Sequence, residues 1–174
     1  MVGQNHAGFV PINIRSPEQW GIISAEVDFA GKTVLDLGCG HGDLLMFARN
    51  AGANVLGVDN KPTPTTKIRE IPVLPMSIQD YLLRRPSHFD VVFCFSVLPY
   101  IRDVGTILDG MRHIADIALI ECQLVGDGPG TMTEAELWEL LGKRWESVRK
   151  IGHTVVEGRN TERPIWLCER GIVP

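Results

Sequence analysis

Val34-Leu35-Asp36-Leu37-Gly38-Cys39-Gly40-His41-Gly42 is the stretch on which the reading of this chain turns. A strand over Thr33 to Leu37 runs into a turn with glycine at alternate positions. Asp43 to Ala51 then places Leu44, Leu45, Phe47 and Ala48 at helical spacing. Glycines let a backbone adopt positive φ and come close to a ligand. The pattern is Gly-x-Gly-x-Gly, not the Gly-x-Gly-x-x-Gly of dinucleotide-binding turns. Asp36, two positions before the first glycine, argues the same way: its carboxylate would repel a pyrophosphate but accept bonds from a cationic ammonium.

Val55-Leu56-Gly57-Val58-Asp59-Asn60 extends the motif. Asn54 to Asp59 reads as a second strand, with Gly57 allowing close packing. Asp59 follows the first glycine by about 20 residues, where a strand-end carboxylate accepts both hydroxyls of a ribose.

The flanking sequence continues the alternation of strand and helix. Ser16-Pro17-Glu18-Gln19 predicts a helix start, with Ser16 as cap, Pro17 at the first position and Gln19 completing a capping box, running to about Val27. Pro62 and Pro64 oppose a normal helix over Lys61 to Thr66. A third strand is expected near Pro72 to Met76 and a short helix over Ile78 to Arg84. Phe89 to Phe95 is almost continuously apolar, which suits a central parallel strand covered on both faces. A helix over Val104 to Ile114 and a strand over Ile117 to Leu124 follow. Thr133-Glu134-Ala135-Glu136 is a capping box opening a helix that Gly142 stops. Ser147 to Val156 and Pro164 to Cys168 form a closing strand pair around the polar turn Glu157 to Asn160. The expected fold is α/β: a Rossmann-like doubly wound sheet in three α/β/α layers, mostly parallel, with an antiparallel C-terminal hairpin strand.

Composition sets bounds on function. The chain has 174 residues, 44% of them hydrophobic, enough for one domain with a real core. A net charge of −4 leans against a protein that grips nucleic acid through phosphates. Lys143, Arg144, Arg149 and Lys150 form either a local basic patch or a solvated surface. Cys39, Cys94, Cys122 and Cys168 are scattered, with no CxxC pair, and read as buried reduced thiols of a cytoplasmic protein. Met1 to Val10 lacks the layout of a signal peptide, and no apolar run approaches a membrane span. No metal-ligand cluster has useful spacing.

The acidic glycine turn, Asp59 and the order of elements resemble the class I S-adenosylmethionine-dependent methyltransferases, over roughly Lys32 to the C-terminus. The resemblance implies a core at 32–174, preceded by a segment at 1–31 with one helix that folds over the cofactor. It implies S-adenosylmethionine as cofactor and S-adenosylhomocysteine as product. Gly38, Cys39, Gly40 and Gly42 would lie against the methionine moiety, with Asp36 near its ammonium. Asp59 would hold the ribose and Asn60 lie beside the adenine. The family's usual Asp after the third strand aligns with Ser77, so the adenine amine falls to Gln79, to Asp80 or to the Ile78 backbone. Phe95 and Ser96 would line the cofactor and face the methyl group.

Ser96-Val97-Leu98-Pro99-Tyr100 lacks the Asn/Asp-Pro-Pro-aromatic motif of enzymes that methylate amino groups of bases. It is similar to the Ser-x-Leu-His-His stretch of small-molecule methyltransferases, with Pro99 and Tyr100 replacing the histidines. The implied activity is methyl transfer to an oxygen or nitrogen of a small molecule. Tyr100, His6 and Glu121 are the candidate catalytic groups, although Tyr100 reads equally as a ring packed over the sheet edge. Arg15 is either a solvated side chain or a partner for the methionine carboxylate. His41 is expected to point outward, and His113 and His153 to be structural or solvent-facing. The competing readings are a methyltransferase for RNA or protein, a cofactor-binding partner subunit without catalysis, and an NAD-dependent oxidoreductase.

Overall fold

The computed structural model describes Asn13 and residues 15–124, 129–156 and 161–171. The elements run α1 (Ser16–Ser24), β1 (Thr33–Leu37), α2 (Asp43–Asn50), β2 (Asn54–Val58), α3 (Pro64–Ile68), β3 (Val73–Leu74), α4 (Ile78–Leu83), β4 (Phe89–Phe95), α5 (Val104–Ile114), β5 (Ala115–Glu121), α6 (Glu134–Gly142), β6 (Ser147–Val156) and β7 (Thr161–Glu169). A 3-10 turn, Leu98–Tyr100, separates β4 from α5.

The strands form one seven-stranded sheet in the order β3-β2-β1-β4-β5-β7-β6. β1 to β5 pair in parallel, and β7 runs antiparallel to both β5 and β6. The order reverses between β1 and β4, so the ligand crevice of such a sheet lies beyond the carboxyl ends of those two strands. The expected doubly wound sheet with its antiparallel hairpin strand is what the chain forms.

Two apolar clusters sandwich the sheet. Residues of α4, α5 and α6, among them Ile107, Met111 and Leu141, pack on Val92 and Cys94 of β4. Ile23 of α1 and Leu44, Leu45 and Ala48 of α2 pack on Val91 and Phe93. β4 is therefore buried on both faces, which is why its sequence shows no alternation. All four cysteines are free and buried.

Local details depart from expectation. Ser16 is not the cap of α1 but its first helical residue, and Arg15 precedes it without a side-chain cap bond. The supposed capping box is absent because both side chains have distant partners: Ser16 Oγ donates to Asp43 and Gln19 Nε2 to Glu121. The proline-containing stretch forms α3, since Pro64 occupies the first turn, where a missing N–H costs nothing. β5 starts at Ala115, directly at the end of α5, and ends at Glu121. The capping box of α6 is present at Thr133 and Glu136. Gly142 is its last helical residue rather than the stop; Lys143 takes the cap position in right-handed conformation. The turn Glu157 to Asn160 lies outside the described residues.

Candidate functional site

The turn after β1 depends on its glycines. Gly38, Gly40 and Gly42 all have positive φ, at 86°, 51° and 73°. Gly38 N–H donates to the carbonyl of Val58 at 2.7 Å, tying the turn to the end of β2. Gly42 caps α2 in left-handed conformation. Gly57 is just as constrained: a Cβ there would stand 2.6 Å from Cys39 Sγ. Cys39 is thus buried beneath the turn, and burial pushes its thiol pKa far up, so it is a packing group and not a nucleophile.

Two clefts open on the turn. The larger, about 560 Å³, is lined by Gly38, Asp59, Asn60, Ser77, Ile78, Gln79, Phe95, Ser96, Val97, Tyr100 and Ile101. The smaller, about 150 Å³, is lined on one side by Asn13, Arg15, Ser16 and Gln19 and on the other by Asp36, Cys39, Gly40, His41, Asp43 and Leu44. Gly38, Phe95 and Ser96 line both. The clefts therefore meet at the switch point between β1 and β4. All the expected cofactor contacts except Gly42 line one cleft or the other.

Asp36 is 4% exposed, and its carboxyl makes no hydrogen bond to any described residue. Burial, with the nearby Asp59 adding, pushes its carboxyl pKa up to about 8. Asp59 is half-buried; its Oδ2 accepts from Gly40 N–H at 2.9 Å and its Oδ1 from Lys61 N–H at 2.7 Å. These bonds hold the turn against the end of β2 with the carboxylate at the cleft wall.

The stretch after β3 is settled by a cap. Ser77 accepts from Asp80 N–H at 3.0 Å and donates to Asp80 Oδ2 at 2.7 Å, opening α4. Asp80 is engaged there and is not among the cleft residues, whereas Ser77, Ile78 and Gln79 are. Asn60 and Gln79 are exposed at the rim.

Ser96 follows β4 with a φ of 60°, an uncommon conformation for a residue with a side chain. Its Oγ donates to Glu121 and accepts from Arg163 Nη1 at 2.8 Å. Glu121 is fully buried at the end of β5 and also receives Gln19 Nε2 at 2.8 Å, Arg15 Nη1 at 3.4 Å and Thr154 Oγ1. A carboxylate so enclosed lines neither cleft. Arg15 is not a solvated cation: its side chain is 19% exposed and ion-paired with Glu121. Tyr100 is not packed over the sheet edge but 77% exposed at the cleft rim, because the 3-10 turn lifts it outward. His6 lies outside the described residues. His41, His113 and His153 are exposed, as expected.

Sequence reading missed a buried joint beside the site. Asp43, at the start of α2, forms an ion pair with Arg69 and accepts from Asn13 N–H at 3.0 Å and from Ser16 Oγ at 3.3 Å. Arg69 also donates to the His41 carbonyl at 2.8 Å. An acid in the first turn of a helix was a visible signal; Arg69 follows a proline-rich stretch and gave none.

Comparison with known proteins agrees with this geometry. A family model described as a methyltransferase domain matches residues 35–116. A ubiquinone biosynthesis O-methyltransferase of Xylella fastidiosa is 28% identical over 117 residues, covering 63% of this chain and 48% of that protein. Its counterpart in Nitrosospira multiformis is 31% identical over 119 residues, with the same shares. The chain thus spans about half the length of these curated relatives. Among solved structures, magnesium protoporphyrin IX methyltransferase of Synechocystis with bound SAH superposes with a TM-score of 0.74 at 19% identity, over 94% of this chain and 90% of that one. The 1,6-didemethyltoxoflavin-N1-methyltransferase of Burkholderia thailandensis gives 0.72 at 16% identity, over 90% and 78%. The fold and the acidic glycine turn resemble those of a methyltransferase domain, and the matched residues place the likeness over β1 to β5. The chain is similar to the class I S-adenosylmethionine-dependent methyltransferases.

Proposed function

We propose that this protein binds S-adenosylmethionine in the joined clefts and transfers its methyl group to an oxygen or nitrogen of a small molecule. The observation that carries the reading is the meeting of the two clefts at Gly38, Phe95 and Ser96, with Asp59 in one and the buried, unbonded Asp36 in the other. The residues fit such a ligand. A Cβ on Gly40 would meet no atom within 4 Å, so the turn faces open space. The larger cleft would take the adenosine, with Asp59 toward the ribose hydroxyls and Ile78 and Gln79 beside the adenine. The smaller would take the methionine end, with its ammonium at Asp36, across from Asn13, Arg15, Ser16 and Gln19.

Bound there, S-adenosylmethionine supplies a methyl group already activated by positive sulfur. The chain's task is then to hold donor and acceptor in line and to exclude water. Phe95, packed edge-on against Phe93 at 5.8 Å, gives the junction a rigid wall. The relatives named for O-methylation and the neighbour named for N1-methylation support both oxygen and nitrogen as acceptors. The basic residues at the C-terminal end do not favour an RNA substrate. Lys143, Arg144, Arg149 and Lys150 are each paired with a carboxylate: Glu139, Asp109, Glu26 and Glu134. Buried reduced thiols fit a cytoplasmic location; among the described residues, no helix is long and apolar enough to cross a membrane.

Calorimetry with S-adenosylhomocysteine and with NAD tests the cofactor, and labelled methyl transfer into pooled metabolites, RNA and protein tests the acceptor. Adenosyl binding and label in the small-molecule pool are expected. Binding of NAD without adenosyl binding would overturn the reading. Adenosyl binding with no turnover in any pool, alone or with partner proteins, would leave a binding subunit instead of an enzyme.

A further inference from the structure

Asp36 stands out among the acidic groups of the site because no described residue answers its charge. Asp43 has Arg69, Glu121 has Arg15, and Asp59 accepts two backbone N–H groups. Asp36 is as buried as Asp43, lines the smaller cleft, and its carboxyl has no hydrogen-bond partner among the described residues. A bare carboxylate in such a place is costly unless it is protonated or meets a cation.

The described groups around it supply no cation. On the β2 side, Gly57 is its register partner and Asp59 stands at the strand end, a like charge. On the β4 side, Phe93 is its register partner, and the neighbouring Cys94 is a thiol kept protonated by burial, as is Cys39 in the turn. Across the smaller cleft are Arg15 before α1, His41 of the turn and Asp43 of α2. Arg15 is directed to Glu121, Asp43 to Arg69, and His41 toward Thr63 and Thr65 on the exposed side.

We propose that Asp36 selects adenosyl ligands by exchanging its own proton for their ammonium group: it is a neutral acid in the free protein, and each ammonium-bearing ligand that binds releases one proton to solvent. The inference rests on the reading of the joined clefts as an S-adenosylmethionine site. It goes further by giving the smaller cleft a charge-reading role that the adenosine part of the ligand does not share. Its physical basis is the enclosed, unpaired carboxyl next to a second carboxylate, and the raised pKa of about 8 agrees with it. The ligand's α-amino group is itself an ammonium below pH about 8, so over the window below that value the exchange involves only the proton on Asp36. Binding then tightens as pH rises.

The test uses two probes that differ only in the amino-acid end: S-adenosylhomocysteine, which carries the ammonium, and 5′-methylthioadenosine, which does not. Titration calorimetry in buffers of different ionisation enthalpy counts the protons released. For S-adenosylhomocysteine, close to one proton should be released near pH ~6.5, and affinity should rise roughly twentyfold from pH about 6 to about 7.5. For 5′-methylthioadenosine, neither effect should appear. Asp36→Asn, which copies the neutral acid, should bind 5′-methylthioadenosine like the wild type, showing an intact fold and cleft. It should bind S-adenosylhomocysteine weakly, with no proton release and no pH slope. Histidine also titrates near this range, so His41→Gln serves as the second variant and should keep the slope. Tight S-adenosylhomocysteine binding without proton release, or a slope that persists in Asp36→Asn or disappears in His41→Gln, would overturn the proposal. Failure of both probes to bind would instead overturn the cofactor reading on which it rests.

Discussion

A Cβ placed on Gly38 would stand 2.4 Å from Cγ2 of Val97. The turn after β1 and the segment after β4 are thus pressed together at the point where the clefts meet. Gly38 is held by this contact and by its φ of 86°, whereas Gly40, two residues on, faces open space. The same turn therefore contains one glycine required by packing and another that leaves room for a ligand.

Gly38→Ala and Gly40→Val should consequently fail in different ways. Gly38→Ala forces a stiff β-branched neighbour aside at a positive φ and should cost roughly 1–3 kcal/mol of stability. Gly40→Val should abolish binding of S-adenosylhomocysteine at a smaller stability cost, since its side chain enters cleft space and only the backbone strain remains. Thermal melts with and without ligand report both quantities, because a ligand raises the melting point only by binding the folded state. A ligand-induced shift of wild-type size in Gly40→Val would remove the turn from the binding site. Gly142→Ala is the control. It is helical, without positive φ, and its Cβ would meet nothing, so it should gain up to about 1 kcal/mol and keep its affinity.

Asp59→Ala removes the acceptor of the Gly40 and Lys61 N–H groups together with the proposed ribose contacts. Charge-assisted bonds of this kind are worth roughly 1.5–3 kcal/mol each, only part of which appears in binding. Affinity for S-adenosylhomocysteine should fall about tenfold or more, with a folded protein by circular dichroism. Unchanged affinity in a folded variant would show that the carboxylate only fastens the turn.

The raised pKa of Asp36 also has a consequence for the protein without ligand. Between its ordinary value of 3.8 and about 8, the folded protein keeps a proton that the unfolded chain has lost. Folding takes up a proton in that window, so the stability present at low pH is lost as pH rises toward about 8. The Asp36 contribution to unfolding free energy should decline by up to ~1.4 kcal/mol per pH unit. Urea unfolding at a series of pH values, on the wild type and on Asp36→Asn, measures it. The difference between the two curves should show the decline. Parallel curves would mean that Asp36 is ionised in the folded state.

The sheet was legible because its signals are local. The bounds of β1 and α5 were readable from apolar patterning, those of β4 from an unbroken apolar run, and the glycine turn from spacing alone. What failed were side chains with two plausible partners. Ser16 and Gln19 fit a capping box within four residues, but in the fold Asp43 and Glu121 take them from far along the chain. Arg15 looked solvated for the same reason: the carboxylate that holds it lies on β5. Of the two readings of Tyr100, the packed ring failed because the 3-10 turn that contains it leaves no periodic mark. Long-range polar partners depend on topology, and hydrophobic patterning does not encode them.

Glu121 carries the last prediction. Four side chains donate to it: Arg15 and Gln19 from the N-terminal helix region, Ser96 after β4 and Thr154 of β6. It is fully buried, so it acts as a knot tying these segments together rather than as a base open to substrate. Removing one partner of a buried ion pair leaves the other charge uncompensated and costs on the order of 3–5 kcal/mol. Glu121→Leu leaves Arg15 and three neutral donors without their acceptor in one step, so it should lower the melting temperature by roughly 10 °C for a chain of this size. Glu121→Gln keeps one carbonyl oxygen as acceptor and should lose clearly less. Because Arg15 and Gln19 also line the smaller cleft, both variants should lose affinity for S-adenosylhomocysteine more than for 5′-methylthioadenosine, which does not reach that end. A Glu121→Leu protein that melts within a few degrees of wild type, or weakens both ligands equally, would show that the knot neither holds the N-terminal helix nor shapes the cleft.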